Sequence, residues 1–222
     1  MDSTSPERQR DFLSQCYFDT EKPDIDSFLS RAYLDMCRTF RGIAALDTGR
    51  EITDNARGLL KNHFQCLQKR DASGNLFDTF DGWHRDTVSA LKAHYEDTLK
   101  DHPDVCMTVG QAQKWINMTM KYCWVCGGTD LQQKLLPWFA VAHIPVDSIV
   151  LDIAKQHDIT YPQAPWSKWN DYDQYLVFQQ DVRTVATGQP VSPLELEYIW
   201  WSNNRQQAPG ARVHVAWFAK TI

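Results

Sequence analysis

Val109-Gly110-Gln111-Ala112-Gln113-Lys114-Trp115-Ile116-Asn117-Met118-Thr119-Met120-Lys121-Tyr122-Cys123 is the stretch on which the fold of this chain turns. It follows the turn-forming Asp101-His102-Pro103-Asp104 and runs on as an apolar-rich segment to Cys126, which predicts a turn followed by a helix over 104–126. A glycine at position 110 is then expected in the tight turn that opens the helix, where the absence of Cβ permits positive φ and close approach of another backbone. The first amides of such a helix point outward without partners, so Val109, Gly110, Gln111, Ala112 and Gln113 are expected to grip an anion such as a phosphate.

The same periodicity extends in both directions. Ile25, Phe28, Leu29, Ala32, Tyr33, Met36 and Phe40 recur in steps of three and four and predict a helix over 24–41. Ile52 to Leu67 and Gly82 to Leu99 read likewise, separated by the turn cluster Asp71-Ala72-Ser73-Gly74-Asn75. Leu131 to Phe139 is a short amphipathic piece. Pro145 is expected in the first turn of a helix reaching His157, and Ser167 or Asn170 caps one reaching Ala186. Ser192-Pro193 followed by Glu195 is a capping-box signature for a helix through Trp201. The tail from Arg212 alternates apolar and polar residues and reads as a strand or extended segment. The expected fold class is all-α, with residues 1–222 forming a single globular helical unit.

A second segment completes the first. In His143-Ile144-Pro145-Val146-Asp147-Ser148-Ile149-Val150, Asp147 stands at the start of a helix, 33 residues after Lys114. A carboxylate there is stabilised as an anion by the helix dipole.

Composition narrows the function classes. The 222 residues are 43% hydrophobic and 23% charged, an ordinary globular balance that argues against a disordered chain. No apolar run reaches the ~18 residues a membrane span needs, and the N-terminus lacks a basic-then-apolar leader, so no membrane partner and a cytoplasmic location are expected. With 23 basic against 28 acidic residues, the net charge of −5 disfavours coating of nucleic acid by bulk charge. Of the six cysteines only Cys123 and Cys126 are closely spaced, and no second pair or histidine cluster accompanies them, so free thiols, no metal and no cofactor are expected.

Gly110-x-Ala112-x-Lys114-x-x-Asn117 and Ile144-Pro145-Val146-Asp147, in this order, resemble the helix-hairpin-helix DNA glycosylase superfamily. In that family's pattern, Gly-x-Gly-x-Lys-x-x-Asn or Asp, Ala112 replaces the second glycine. The interval from lysine to aspartate is similar to that of the archaeal 8-oxoguanine DNA glycosylases, and no four-cysteine cluster follows the aspartate. The resemblance covers residues 104–157. It implies a two-lobed helical glycosylase-like fold, a helix-hairpin-helix over 104–126, and a helix over 144–157 that carries the catalytic aspartate. By position, Lys114 becomes the nucleophile of the bifunctional members and Asp147 the shared catalytic carboxylate.

The implied activity is excision of a modified base from double-stranded DNA by a monomeric enzyme. A base inside a duplex is out of reach, so the nucleotide must be flipped out. Lys114 then attacks the sugar carbon, with strand cleavage to follow, or water attacks and leaves an abasic site; both routes stay open on the sequence. The base is either a hypermodified cytosine, such as glucosylated hydroxymethylcytosine of phage DNA in an antiviral defence role, or oxidised guanine. A noncatalytic helical DNA-binding module is the alternative from another class. The base pocket needs flat walls, and Trp169, Trp200, Trp201 and His143 are the candidates, the first lying in a stretch that mixes rings with polar groups.

Overall fold

Side-chain caps and apolar stripes set the helices, and the computed structural model describes residues 6–126 and 129–207. The helices in chain order are α1 (Pro6–Phe18), α2 (Ile25–Cys37), α3 (Gly49–Leu67), α4 (Leu76–Thr98), α5 (Val109–Cys126), α6 (Thr129–Phe139), α7 (Ser148–Ala154), α8 (Tyr172–Gly188) and α9 (Pro193–Gln207). Short 3₁₀ turns occupy Ile43–Ala45, Lys155–His157 and Trp166–Lys168. Among the described residues there is no strand, so the all-α expectation holds. The tail from Arg212 lies outside the described residues.

Local signals account for most boundaries. Asp24 caps α2 through a reciprocal bond with Ser27. Asn75, the last residue of the turn cluster, accepts from the Phe77 and Asp78 amides, so α4 begins at Leu76, six residues before the glycine expected to open it. Ser192 and Glu195 form the expected capping box at the start of α9. Two further expectations are corrected, and one helix was not expected. Asp171, rather than Ser167 or Asn170, caps α8, because its carboxylate reaches the amides of Asp173 and Gln174. Pro145 is not helical: residues 144–146 have no regular secondary structure and Asp147 caps α7. Helix α1 has no counterpart in the sequence reading, since Phe12 and Tyr17 face solvent and leave only a weak apolar stripe.

Helix α5 runs through the middle of the molecule. All nine residues from Val109 to Asn117 are buried, including Gln111, Gln113, Lys114 and Asn117. A helix buried on every side is a core element. It packs on α2, α4, α6, α8 and the turn Trp166–Lys168. Trp115 anchors it to α2 by donating its indole N–H to the Leu29 carbonyl at 2.9 Å. The polar residues that α5 carries inward therefore meet partners from most of the fold.

Candidate functional site

The start of α5 is closed on itself. The Gln111 amide donates to Thr108 Oγ1 at 3.1 Å, and the Thr108 amide donates to Gln111 Oε1 at 3.0 Å. This is a capping box, and Thr108-x-x-Gln111 announces it in the sequence. The Thr108 hydroxyl donates to the Ser167 carbonyl at 2.9 Å, and Gln111 Nε2 donates to the Thr39 carbonyl at 2.7 Å. The Gly110 amide donates to the Trp169 carbonyl at 2.9 Å, and the Ala112 amide to the Thr108 carbonyl at 3.0 Å. The expected anion grip at Val109, Gly110, Gln111, Ala112 and Gln113 is thereby corrected. These residues are buried, and the amides of Gly110, Gln111 and Ala112 are engaged by the protein. Gly110 is needed for a different close approach: a Cβ there would stand 1.8 Å from the Trp166 carbonyl oxygen.

One turn further on, Lys114 points at Asp147. Lys114 Nζ donates to Asp147 Oδ2 at 2.8 Å across an interval of 33 residues. The lysine side chain is 8% exposed and the aspartate 30%, so the amine is enclosed while the carboxylate keeps an edge open to solvent. Asp147 Oδ1 accepts from the Val150 amide at 3.0 Å, as the cap of the seven-residue α7. Burial pushes the Asp147 carboxyl up. The Lys114 ammonium, the Val150 amide and the more distant Lys121 charge together outweigh that, and hold it below the ordinary carboxylate value.

Asp147 is aimed by the chain that precedes it. Val146 donates its amide to Gln113 Oε1 at 3.1 Å, and its carbonyl accepts from Gln113 Nε2 at 3.0 Å. The Ile144 amide donates to Gln179 Oε1, and its carbonyl accepts from Gln179 Nε2 and Asn117 Nδ2, each at 3.0 Å. Sequence reading placed Gln113 in an anion grip and Asn117 in the motif, and missed the hold that these two and Gln179 have on residues 144–146. The available signal was a Gln and an Asn four residues apart on a helix otherwise rich in core residues. It also missed a second pair on α5: Lys121 Nζ meets Glu197 Oε2 at 2.5 Å, with the glutamate only 5% exposed.

The expected walls of a base pocket are placed otherwise. His143 is fully buried. Its Nε2–H donates to Asp81 Oδ1 and its Nδ1 accepts from the Tyr175 hydroxyl, both at 2.9 Å, the tautomer following from the carboxylate partner. Burial pushes its pKa down to about 4, so the ring is neutral. Arg183 donates to both Asp81 oxygens through its two terminal guanidinium nitrogens, at 2.9 Å to Oδ2 and 2.6 Å to Oδ1. Trp169 is buried against Phe178 and Tyr161, with its indole N–H on the Ala164 carbonyl. His143 and Trp169 are therefore corrected to core residues. Trp200 is buried on α9 with its ring stacked on His157 at 5.1 Å, and Trp201 is half-buried.

The surface of the described residues includes the following hollows. One, of about 300 Å³, lies between Val88, Lys92, Val109 and Asn170; the other, of about 550 Å³, lies between Asp24, Gln65, Gln68 and Asp130. Neither is lined by Lys114 or Asp147. Among the described residues, no helix is long and apolar enough to cross a membrane. No family model matches the chain, and no curated protein or solved structure matches it.

Proposed function

We propose that this chain is a DNA N-glycosylase of the helix-hairpin-helix kind, which excises a modified base with Lys114 and Asp147 as its reacting pair. The observation that carries this reading is the convergence of the two groups. An amine and a carboxylate far apart in sequence meet at 2.8 Å, one enclosed and the other open at its edge. With the start of α5 closed, the reading rests on the pair and on the non-helical Pro145-Val146 lead-in to a capping aspartate.

In the lysine route, the sugar of a flipped nucleotide enters beside the open edge of Asp147. Lys114 must first lose a proton, and the carboxylate at 2.8 Å is the nearest acceptor. The amine lone pair then forms a bond to C1′ while the C1′–N bond breaks with its electrons going to the base. The proton held on Asp147 passes to the departing base; the C1′-bound nitrogen then gives up a proton, by way of the carboxylate, to O4′ as the C1′–O4′ bond breaks and the nitrogen lone pair forms C1′=N, leaving the ring-opened sugar as a protonated Schiff base. Meanwhile the carboxylate opposes the positive charge that develops on the sugar.

The greater exposure of Asp147 than of Lys114 favours a second mode within the same activity. There, Asp147 activates a water that attacks C1′, and Lys114 serves to hold the carboxylate. Either mode suits a monomeric, cytoplasmic enzyme acting on double-stranded DNA. The bases to be offered are glucosylated hydroxymethylcytosine, oxidised guanine, and deaminated and alkylated bases.

The test is mass spectrometry of bases released from duplexes carrying each of these. Asp147→Asn should abolish release while leaving DNA affinity in place. Borohydride should trap a covalent protein–DNA adduct that Lys114→Gln loses; release without any adduct selects the water mode. DNA binding without release of any base, unaffected by Asp147→Asn, selects the noncatalytic module and ends the enzymatic reading.

A further inference from the structure

The segment leading to Asp147 poses a problem of backbone chemistry. Ala142, His143, Ile144 and Val146 are buried in a stretch without regular secondary structure, and among the described residues there is no strand for it to pair with. Buried peptide groups without partners are strongly unfavourable. The fold meets this with side-chain amides acting as peptide groups of an absent strand. Gln179 takes both backbone groups of Ile144, Gln113 takes both of Val146, and Pro145 between them has no N–H to satisfy.

The amides are themselves tied together. Asn117 Nδ2 lies at 3.0 Å from Gln113 Oε1 and at 2.9 Å from the Tyr175 hydroxyl. Asn117 Oδ1 lies at 3.0 Å from His84 Nε2, whose other ring nitrogen meets the Tyr172 hydroxyl at 2.8 Å. Gln113 Nε2 also reaches the Gly110 carbonyl at 2.9 Å. The arrangement has a direct geometric consequence. Gln113 precedes Lys114 by one residue and Asn117 follows it by three, so the helix that carries the amine also carries the clamp on the carboxylate's own backbone.

We infer that Gln113 and Asn117 are positioning residues: they lock residues 144–146 to α5 so that Asp147 meets Lys114 in one fixed geometry. The inference deepens the glycosylase reading and rests on it for its catalytic part, whereas its geometric part stands independently. A side chain at 113 of equal length without an amide releases both backbone groups of Val146. The carboxylate then drifts from the amine. Displacement of a reacting group by ~1 Å typically costs about 100-fold in rate, without loss of binding.

The experiment compares wild type, Gln113→Met and Thr119→Val. Thr119 is buried on the same helix, but its hydroxyl bonds only the Trp115 carbonyl within that helix. The Asp147 carboxyl is titrated by carbon NMR, with Lys114 and Lys121 as the charges that face it. In Gln113→Met the Asp147 titration should move up toward the ordinary carboxylate value, and in Thr119→Val it should stay where wild type has it. If folded Gln113→Met titrates Asp147 as wild type does, the inference is overturned. Should Gln113→Met fail to fold, hydrogen exchange on wild type decides. The Val146 amide should be protected as strongly as the interior of α5, and exchange at the rate of an open amide overturns the clamp. On a released base, Gln113→Met should lower kcat about 100-fold with DNA affinity unchanged. A wild type that releases no base while its Asp147 titration and Val146 exchange behave as stated removes the glycosylase reading and leaves the clamp.

Discussion

The α-carbon of Gly110 lies so close to the Trp166 carbonyl that a β-carbon would stand 1.8 Å from its oxygen. Neither backbone can give way cheaply, because the Gly110 amide also bonds the Trp169 carbonyl and Thr108 bonds the carbonyl of Ser167. Gly110→Ala should therefore force the turn Trp166–Lys168 off α5 and cost about 3 kcal/mol or more, read from urea denaturation. Gly82 is exposed in the interior of α4 with nothing near its Cβ position. Gly82→Ala should stabilise by about 0.5–1 kcal/mol. Equal effects of the two changes would refute the packing account.

Lys114 and Asp147 should separate stability from function. Lys114→Met keeps the length of the side chain and removes a nearly buried charge, and Asp147 can rehydrate through its open edge. Its folding stability should lie within about 1 kcal/mol of wild type, because replacing an enclosed charge by an apolar group of similar volume is often neutral. Asp147→Ala leaves the Lys114 ammonium enclosed and removes the cap on Val150, so it should cost about 2–3 kcal/mol. Denaturant midpoints of the two variants check this, and a larger loss in Lys114→Met would show the pair to be a stability device.

Acid should weaken the fold through His143. Its folded pKa of about 4 lies below the unfolded value, because burial penalises the cation. Between those values the unfolded chain binds a proton that the folded chain refuses. The contribution is complete above about pH 6.5 and drains away as pH falls toward 4. The buried His84 and half-buried His63 are shifted in the same direction and add to the slope. Asp81, held down by His143 and Arg183 against the effect of burial, adds its own loss only below about pH 4. Thermal melts between pH 7 and 4 should show a falling Tm, and His143→Gln should flatten that slope. An unchanged slope in the variant would reject the assignment.

Ion pairs on this surface should differ sharply in worth. Glu197 is 5% exposed and pairs with Lys121, whereas Arg50 is 95% exposed and stands 3.9 Å from Asp54. Glu197→Ala strands a partly enclosed ammonium beside α9, and about 2–3 kcal/mol should be lost. Arg50→Ala should change stability by less than about 0.5 kcal/mol, since exposed pairs are screened. Chemical denaturation in low and high salt distinguishes them.

What the amino-acid order settled by itself was local. Helical periodicity and cap residues found eight of the described helices, α2 to α9, though α4 and α7 begin elsewhere than expected, because an apolar stripe repeats every three or four residues wherever one face is buried. The Ser192–Glu195 box marked a helix start because a cap acts over three residues, whereas Asn75 was legible only as part of a turn. Lys114 and Asp147 were legible as candidates from their motifs, and the weak stripe of α1 hid that helix. Partnership across the chain was decided only by packing. An outward-facing helix start and one closed by Trp166, Trp169 and Ser167 have the same local sequence, and so do an exposed histidine and one locked between Asp81 and Tyr175. Hydrogen bonds and burial spanning 30 to 100 residues depend on which surfaces meet, and the 2.8 Å contact between Lys114 and Asp147 exists because α5 passes through the centre and clamps the irregular chain beside it.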